Sequence, residues 1–254
     1  MNKLLSIENL TVTVGDKRLV DRVSFDVPSG KIVALAGGSG SGKTTIGLSI
    51  LRLLAFPLKI VQGRIIFEGQ DLSALSNEKM RQCRGARIGM VFQEPLSAFD
   101  PLFTIGQQLD EVLAAHTSLS RPKRREKVLD TLAQVELPDP VRAYKSYPHQ
   151  LSGGMRQRAM VAQAMVCGPS LIIADEPTSS LDVTLQVKIM ELFVRLKNKN
   201  ISILLIAHDL GMISQLADEV IILRQGQIVE MGPVGQVISQ PQHEYTKELI
   251  GAFQ

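Results

Sequence analysis

Gly37-Gly38-Ser39-Gly40-Ser41-Gly42-Lys43-Thr44 stands between an apolar stretch, Ile32-Val33-Ala34-Leu35-Ala36, and a run in which Ile46, Ile50, Leu51 and Leu54 recur at helical spacing. The octet fits G-x-x-x-x-G-K-[ST], and a strand before it with a helix after it is the setting in which that pattern binds phosphate. Glycines let successive backbone N–H groups turn inward around phosphate oxygens, and the helix amino terminus adds partial positive charge. Lys43 supplies a point charge for the β- and γ-phosphates. Thr44 offers a hydroxyl to Mg²⁺, which keeps most of its shell as water and phosphate oxygen and needs few protein ligands.

Further along, Leu171-Ile172-Ile173-Ala174-Asp175-Glu176 reads as an apolar strand that delivers two carboxylates to its carboxyl end, where open α/β sheets bind ligands. Two adjacent acids can divide the labour. Asp175 is expected to hold Mg²⁺, directly or through water. Glu176, one residue on, is expected to face the γ-phosphate and accept a proton from the attacking water.

Around these two stretches the first ninety residues read as strands broken by Gly and Pro turns, at residues 4–14, 23–27, 32–36, 63–67 and 87–92. The helix after the octet is expected over about 43–54. From residue 96 to about 150 the pattern turns helical, with Val128, Leu129, Leu132 and Val135 on one face and Pro138, Pro140 and Pro148 breaking the run. The charged run 121–127 reads as a solvated helix start. Strand and helix then alternate: strand 171–174, helix 183–197, strand 201–207, helix 210–216. A hairpin of strands 220–223 and 227–230 about Gln225-Gly226 and a final helix over 243–253 follow. Near-continuous Ile, Leu and Val strands alternating with amphipathic helices predict a buried parallel sheet covered on both faces. There is no internal repeat.

Bulk numbers agree. A chain of 254 residues accommodates one large α/β domain or a core with an inserted subdomain. Its 28 basic and 25 acidic residues leave a net charge of +3 spread along the chain, which predicts solubility and no nucleic-acid partner. Cys83 and Cys167 stand far apart in no metal-like spacing, as free thiols in a reducing compartment do. The longest apolar stretches are strand-length, short of the roughly 20 residues a membrane-spanning helix needs. Residues 1–10 lack the apolar core of a signal peptide, so the protein is expected to remain in the cytoplasm.

A second glycine-rich run, Leu151-Ser152-Gly153-Gly154-Met155-Arg156-Gln157-Arg158, resembles the signature sequence of the ATP-binding cassette (ABC) ATPases. In that family the serine and glycine amides close over the γ-phosphate of ATP held by a different subunit, so the resemblance implies a dimer in which Leu151, Ser152, Gly153, Gly154 and Met155 act in trans. Three more pieces occur in the family's order. Gln93 resembles the Q-loop glutamine, which contacts Mg²⁺ or the lytic water and links the core to a helical subdomain. Ser180, Leu181 and Asp182 resemble the D-loop at the dimer interface. His208 resembles the switch histidine, which hydrogen-bonds the γ-phosphate and orients the water. By residue type alone these have plain readings as a polar loop residue, a helix cap at Asp182 and a surface histidine.

The resemblance covers essentially the whole sequence and implies an α/β P-loop NTPase (RecA-like) core with an N-terminal antiparallel β subdomain and an inserted helical subdomain. It divides one ABC ATPase domain, 1–254, into a core of 1–95 and 153–254 and an insert of about 96–152. It implies ATP and Mg²⁺ as cofactors. The ATP-binding set is Gly37, Gly38, Ser39, Gly40, Ser41, Gly42, Lys43, Thr44 and Thr45; Thr44, Gln93 and Asp175 serve Mg²⁺; Glu176, His208 and Gln93 are catalytic. Where the family usually carries an aromatic residue to stack on adenine, this sequence has Val14; ATP is still the expected nucleotide because the phosphate contacts dominate, with tolerance of GTP the alternative.

Met155, with Ser97-Ala98-Phe99-Asp100-Pro101, Asp182-Val183-Thr184 and His243-Glu244-Tyr245-Thr246, resembles the oligopeptide, dipeptide and nickel importer branch, most closely its first ATPase subunit. That implies pairing with a different ATPase subunit, two membrane permease subunits and an extracytoplasmic substrate-binding protein, with this protein peripheral on the cytoplasmic face of the inner membrane. Peptide-importing members commonly continue into a cysteine-rich tail, and this sequence stops at Gln254; the expectation is therefore uptake of nickel or a metal chelate. Dipeptide or oligopeptide import is the alternative, and a non-transport ABC ATPase module the alternative of a different class.

Overall fold

A computed structural model describes residues 2–179 and 181–251. The polypeptide runs through β1 (Lys3–Val14), β2 (Lys17–Pro28), β3 (Ile32–Ala36), α1 (Lys43–Ile50), β4 (Leu58–Phe67), β5 (Gln70–Asp71), α2 (Asn77–Cys83) and β6 (Ile88–Val91). Next come α3 (Pro95–Ala98), α4 (Ile105–His116), α5 (Arg121–Gln134), α6 (Pro140–Lys145) and α7 (Gly153–Met165). Then follow β7 (Leu171–Asp175), α8 (Val183–Asn198), β8 (Ser202–Ile206), α9 (Leu210–Leu216), β9 (Glu219–Arg224), β10 (Gln227–Pro233), α10 (Val234–Ser239) and α11 (Glu244–Gly251). The final turn expected at 252–253 lies outside the described residues. These elements form two compact units, one from Met1–Met80 and Leu196–Gln254, the other from Arg81–Arg195.

In the first unit, β2, β1, β4 and β5 make an antiparallel sheet in that order. Strand β3 runs parallel to β8 on one side and β9 on the other, and β10 pairs antiparallel with β9. All five residues of β3 and of β8 are buried, the pattern of central parallel strands with both faces covered. Two expected boundaries move for clear reasons. Strand β2 begins at Lys17, well before residue 23, because ladder pairs Thr13 with Arg18 and Val14 with Lys17 extend it through a charged stretch. Strand β4 begins at Leu58, before Gly63, which at φ +102° sits where the register with β1 shifts.

Helix α1 ends at Ile50, four residues short of expectation. Arg52 adopts the left-handed φ of +51°, its N–H bonds Ser49 C=O, and Leu53 N–H bonds Leu48 C=O. This is a Schellman stop with arginine in the seat glycine usually takes, so no glycine marks the end. The Arg52 guanidinium compensates by donating to Leu75 C=O at 2.6 Å.

Asp218 ties the parallel strands together. Its carboxylate accepts Ile32 N–H at 2.9 Å, Lys31 Nζ at 3.1 Å and Lys197 Nζ at 2.8 Å. Burial pushes this carboxyl up, and the Lys197 ammonium, the Ile32 N–H and Lys31 outweigh it, leaving it below its ordinary value. Asp218→Ala strands a backbone donor and is expected to cost about 2 kcal/mol of stability, read from the urea midpoint at neutral pH. A depressed folded-state carboxyl stabilises above the unfolded value of about 4 and loses that contribution as pH falls through the folded value. The difference between parent and variant should therefore shrink in acid; a pH-independent difference would contradict the ion-pair account.

In the second unit, β6 and β7 pair in parallel from Ile88 with Leu171 to Val91 with Ala174. Helix α4 starts at a capping box, with Thr104 Oγ1 accepting Gln107 N–H and Gln107 Oε1 accepting Thr104 N–H. Pro140 opens α6 behind Asp139, which accepts Arg142 N–H at 2.9 Å. The charged run opening α5 is not wholly solvated. Arg124 forks onto both oxygens of Asp110 at 2.8 and 3.1 Å and donates to Leu119 C=O, because its side chain lies inward, 19% exposed.

Candidate nucleotide site

The turn between β3 and α1 is built from glycines in conformations other residues avoid. Gly37 has φ +148°, Gly40 +73° and Gly42 +102°. Gly42 occupies the N-cap position of α1 with no side chain to cap it, so the first-turn N–H groups are donors suited to phosphate oxygens. Lys43, only 6% exposed, folds back over the loop. Its Nζ donates to Gly37 C=O at 2.8 Å, Gly38 C=O at 2.9 Å and Ser41 Oγ at 3.4 Å. Ser39, Gly40 and Thr44 are exposed, Gly38 and Thr45 partly buried. A buried ammonium, a glycine turn and an uncapped helix start fit a polyphosphate. In the same unit His208 is exposed two residues past the end of β8, and Asp209 caps α9 by accepting Met212 N–H at 3.0 Å. Val14 ends β1, opposite Lys17.

One contact in this unit has no counterpart among the sequence motifs. The Gly38 N–H donates to the Tyr245 hydroxyl at 2.8 Å. Tyr245 stands in the His243-Glu244-Tyr245-Thr246 segment, which bears on the importer branch and carries no phosphate-binding pattern of its own.

In the second unit Asp175 closes β7 and is 4% exposed. Glu176 follows in the left-handed region at φ +43°, a conformation that costs on the order of 1 kcal/mol for a non-glycine residue. Its backbone carbonyl accepts both the N–H and the hydroxyl of Ser179, each at 3.2 Å. Its carboxylate accepts Gln93 Nε2 at 2.9 Å. Gln93 and Glu176 are 83 residues apart in sequence, and they meet because β6 and β7 run parallel with Val91 opposite Ala174.

The second glycine run divides in two. Ser152 is the N-cap of α7, its Oγ accepting Met155 N–H at 3.4 Å, and Leu151 beneath it is buried. Gly153 is exposed, and a Cβ there would meet nothing within 4 Å. Packing within the subunit gives no reason for glycine at 153, whereas at Gly154 a Cβ would lie 2.8 Å from Leu185. Met155 is partly buried. The end of the run turns inward: Arg158 donates to Val135 C=O at 2.9 Å and Glu136 C=O at 2.8 Å, holding the end of α5. Asp182 caps α8 by accepting Leu185 N–H at 3.0 Å, and Leu181 is partly buried. Ser180 lies outside the described residues.

Comparison with known proteins bears on the fold and the family. The ABC transporter family profile matches residues 20–179. The protein is 45% identical over 99% of its length to the dipeptide transport ATP-binding protein DppD of Bacillus subtilis, spanning 77% of that relative. To DppD of Escherichia coli it is 41% identical over 98% of its length and 78% of the relative's. Among solved structures, the cassette MJ0796, in a dimeric post-hydrolysis state bound to ADP and Pi, superposes with a TM-score of 0.81 at 27% identity, covering 91% of this protein and 98% of that one. The cbiO1 protein of Clostridium perfringens, part of the transporter complex cbiONQ, gives 0.81 at 25% identity, covering 94% and 92%.

Proposed function

The chain belongs to the ABC transporter family and is an ATPase that uses ATP with Mg²⁺; from that premise we propose that it powers the import of dipeptides or oligopeptides. The observation that carries the hydrolytic role is the Glu176 carboxylate, held by Gln93 on a strained backbone directly after the buried Asp175. The names of the relatives, dipeptide transport proteins in B. subtilis and E. coli, support the peptide alternative over the nickel expectation. They also favour a transporter over a non-transport ATPase.

In this reading the loop amides and Lys43 grip the β- and γ-phosphates, with Gly37 through Thr45 as the binding set. Thr44, Gln93 and Asp175 are the residues that would hold Mg²⁺, which would supply charge neutralisation on the phosphates. Glu176 accepts the proton of the attacking water, and His208 orients that water and stabilises the γ-phosphate. Leu151 to Met155 serve the nucleotide of the partner cassette, with Ser180, Leu181 and Asp182 at the shared interface. The core comprises 1–95 and 153–254 and the helical insert about 96–152. Among the described residues no helix is long and apolar enough to cross a membrane; in this reading the membrane path belongs to separate permease subunits. The assembly comprises a second, different ATPase subunit, two permeases and an extracytoplasmic binding protein, with this subunit peripheral on the cytoplasmic face of the inner membrane.

The test uses the purified complex in vesicles. ATP hydrolysis should rise when the cognate binding protein is loaded with dipeptide and stay basal with nickel. Stimulation by nickel alone would overturn the peptide reading while leaving the ATPase intact.

A further inference from the structure

The Gly37–Gly38 peptide group is bonded at both ends. Its C=O accepts Lys43 Nζ at 2.8 Å, and its N–H donates to the Tyr245 hydroxyl at 2.8 Å. A peptide between two glycines has no Cβ on either side to resist rotation, and Gly37 sits at φ +148°. Its orientation is therefore decided by its hydrogen bonds. With the N–H held by Tyr245, the C=O faces the lysine.

Tyr245 is itself fixed. The Arg224 guanidinium lies over its ring at 4.8 Å. Its N–H donates to His243 Nδ1 at 3.1 Å, and Glu230 accepts the N–H groups of Gln242 and His243 at 2.9 and 3.0 Å. Carboxylate, histidine and cation together anchor the start of α11 to the hairpin of β9 and β10. The same hairpin reaches the loop a second time, through Gly226 N–H to Ser41 C=O at 3.1 Å. A Cβ on Gly38 would come within 3.1 Å of the Tyr245 oxygen, so the glycine at 38 and the tyrosine at 245 suit each other.

We infer that Tyr245 is a positioning residue for nucleotide binding: its hydroxyl pins the Gly37–Gly38 peptide and thereby holds Lys43 ready for the phosphates. The inference rests on the phosphate-loop reading above. Pinning acts before nucleotide arrives and equally in ground and transition states, so its loss raises KM for ATP and leaves kcat nearly unchanged.

The experiment compares the full-length protein with Tyr245→Phe, which removes one oxygen and keeps the ring, and with Arg224→Ala, which keeps the hydroxyl and frees the ring. Lys43→Ala is the control. Calorimetric titration with MgATP should show about threefold to tenfold weaker binding for Tyr245→Phe, as for one lost hydrogen bond, and a smaller change in the same direction for Arg224→Ala. Without nucleotide, hydrogen exchange at the Gly38 amide should accelerate in Tyr245→Phe while the melting temperature holds. ATP affinity within about twofold of the parent in both variants, while Lys43→Ala loses binding, would overturn the inference and leave the site reading standing. A lower melting temperature with no local change at the Gly38 amide would assign Tyr245 to stability alone and overturn it too. Undiminished ATP binding by Lys43→Ala would overturn the phosphate-loop reading and this inference with it.

Discussion

Glu176→Gln is expected to keep ATP affinity and to lower turnover of the assembled complex by about 10²- to 10⁴-fold, the range for loss of a general base. The amide is isosteric, and its carbonyl oxygen can still accept the Gln93 Nε2 hydrogen bond seen at 2.9 Å. Glutamine tolerates the left-handed backbone at φ +43° about as glutamate does, so the strand end should not rearrange. What disappears is the ability to take a proton from water. A dimer with trapped ATP should accumulate, measured by light scattering and single-turnover hydrolysis. An unchanged rate in the heteromeric complex would remove Glu176 from the role of base, or assign all turnover to the partner's site.

Gly153→Asp is expected to abolish hydrolysis at the phosphate loop of the partner subunit while nucleotide binding to this subunit's own loop stays close to normal. The structure separates this effect from misfolding. Position 153 is exposed, a Cβ there meets nothing within 4 Å, and an aspartate in the first turn of α7 favours the helix electrostatically. The variant should therefore fold with undiminished stability. The acid instead sets a side chain and a negative charge where backbone amides must approach a γ-phosphate. In a complex in which only this subunit carries the change, steady-state ATPase should fall to the rate of the remaining site. Normal hydrolysis there would sink the shared-site arrangement, as would brisk turnover by a strictly monomeric preparation.

The cargo leaves little trace in the amino-acid sequence. The nickel expectation rested on where the sequence stops, which carries no binding chemistry. The residues assigned to the nucleotide site are read for phosphate, Mg²⁺ and water, and no local pattern among them separates peptide from metal chelate. Overall similarity to the dipeptide transport proteins is a broader signal than any single motif, and it favours the alternative.

Short-range chemistry was legible in the amino-acid order alone. The glycine octet before α1, the apolar strand ending in Asp175 and the Asp182 cap at the start of α8 depend on residues within a few positions of one another, and they form as their spacing predicts. Buried strands announced themselves because both faces must be apolar. Only the tertiary structure decided what depends on distant partners. Past the end of α1, Arg52 takes the left-handed seat of a Schellman stop, and its guanidinium finds Leu75 C=O 23 residues on. Gln93 reaches Glu176 through the register of two parallel strands. Tyr245 reaches Gly38 across 207 residues of sequence. A residue's type says what it can bond, but the partner is chosen by the packing that brings remote segments together, and a single sequence does not display that packing.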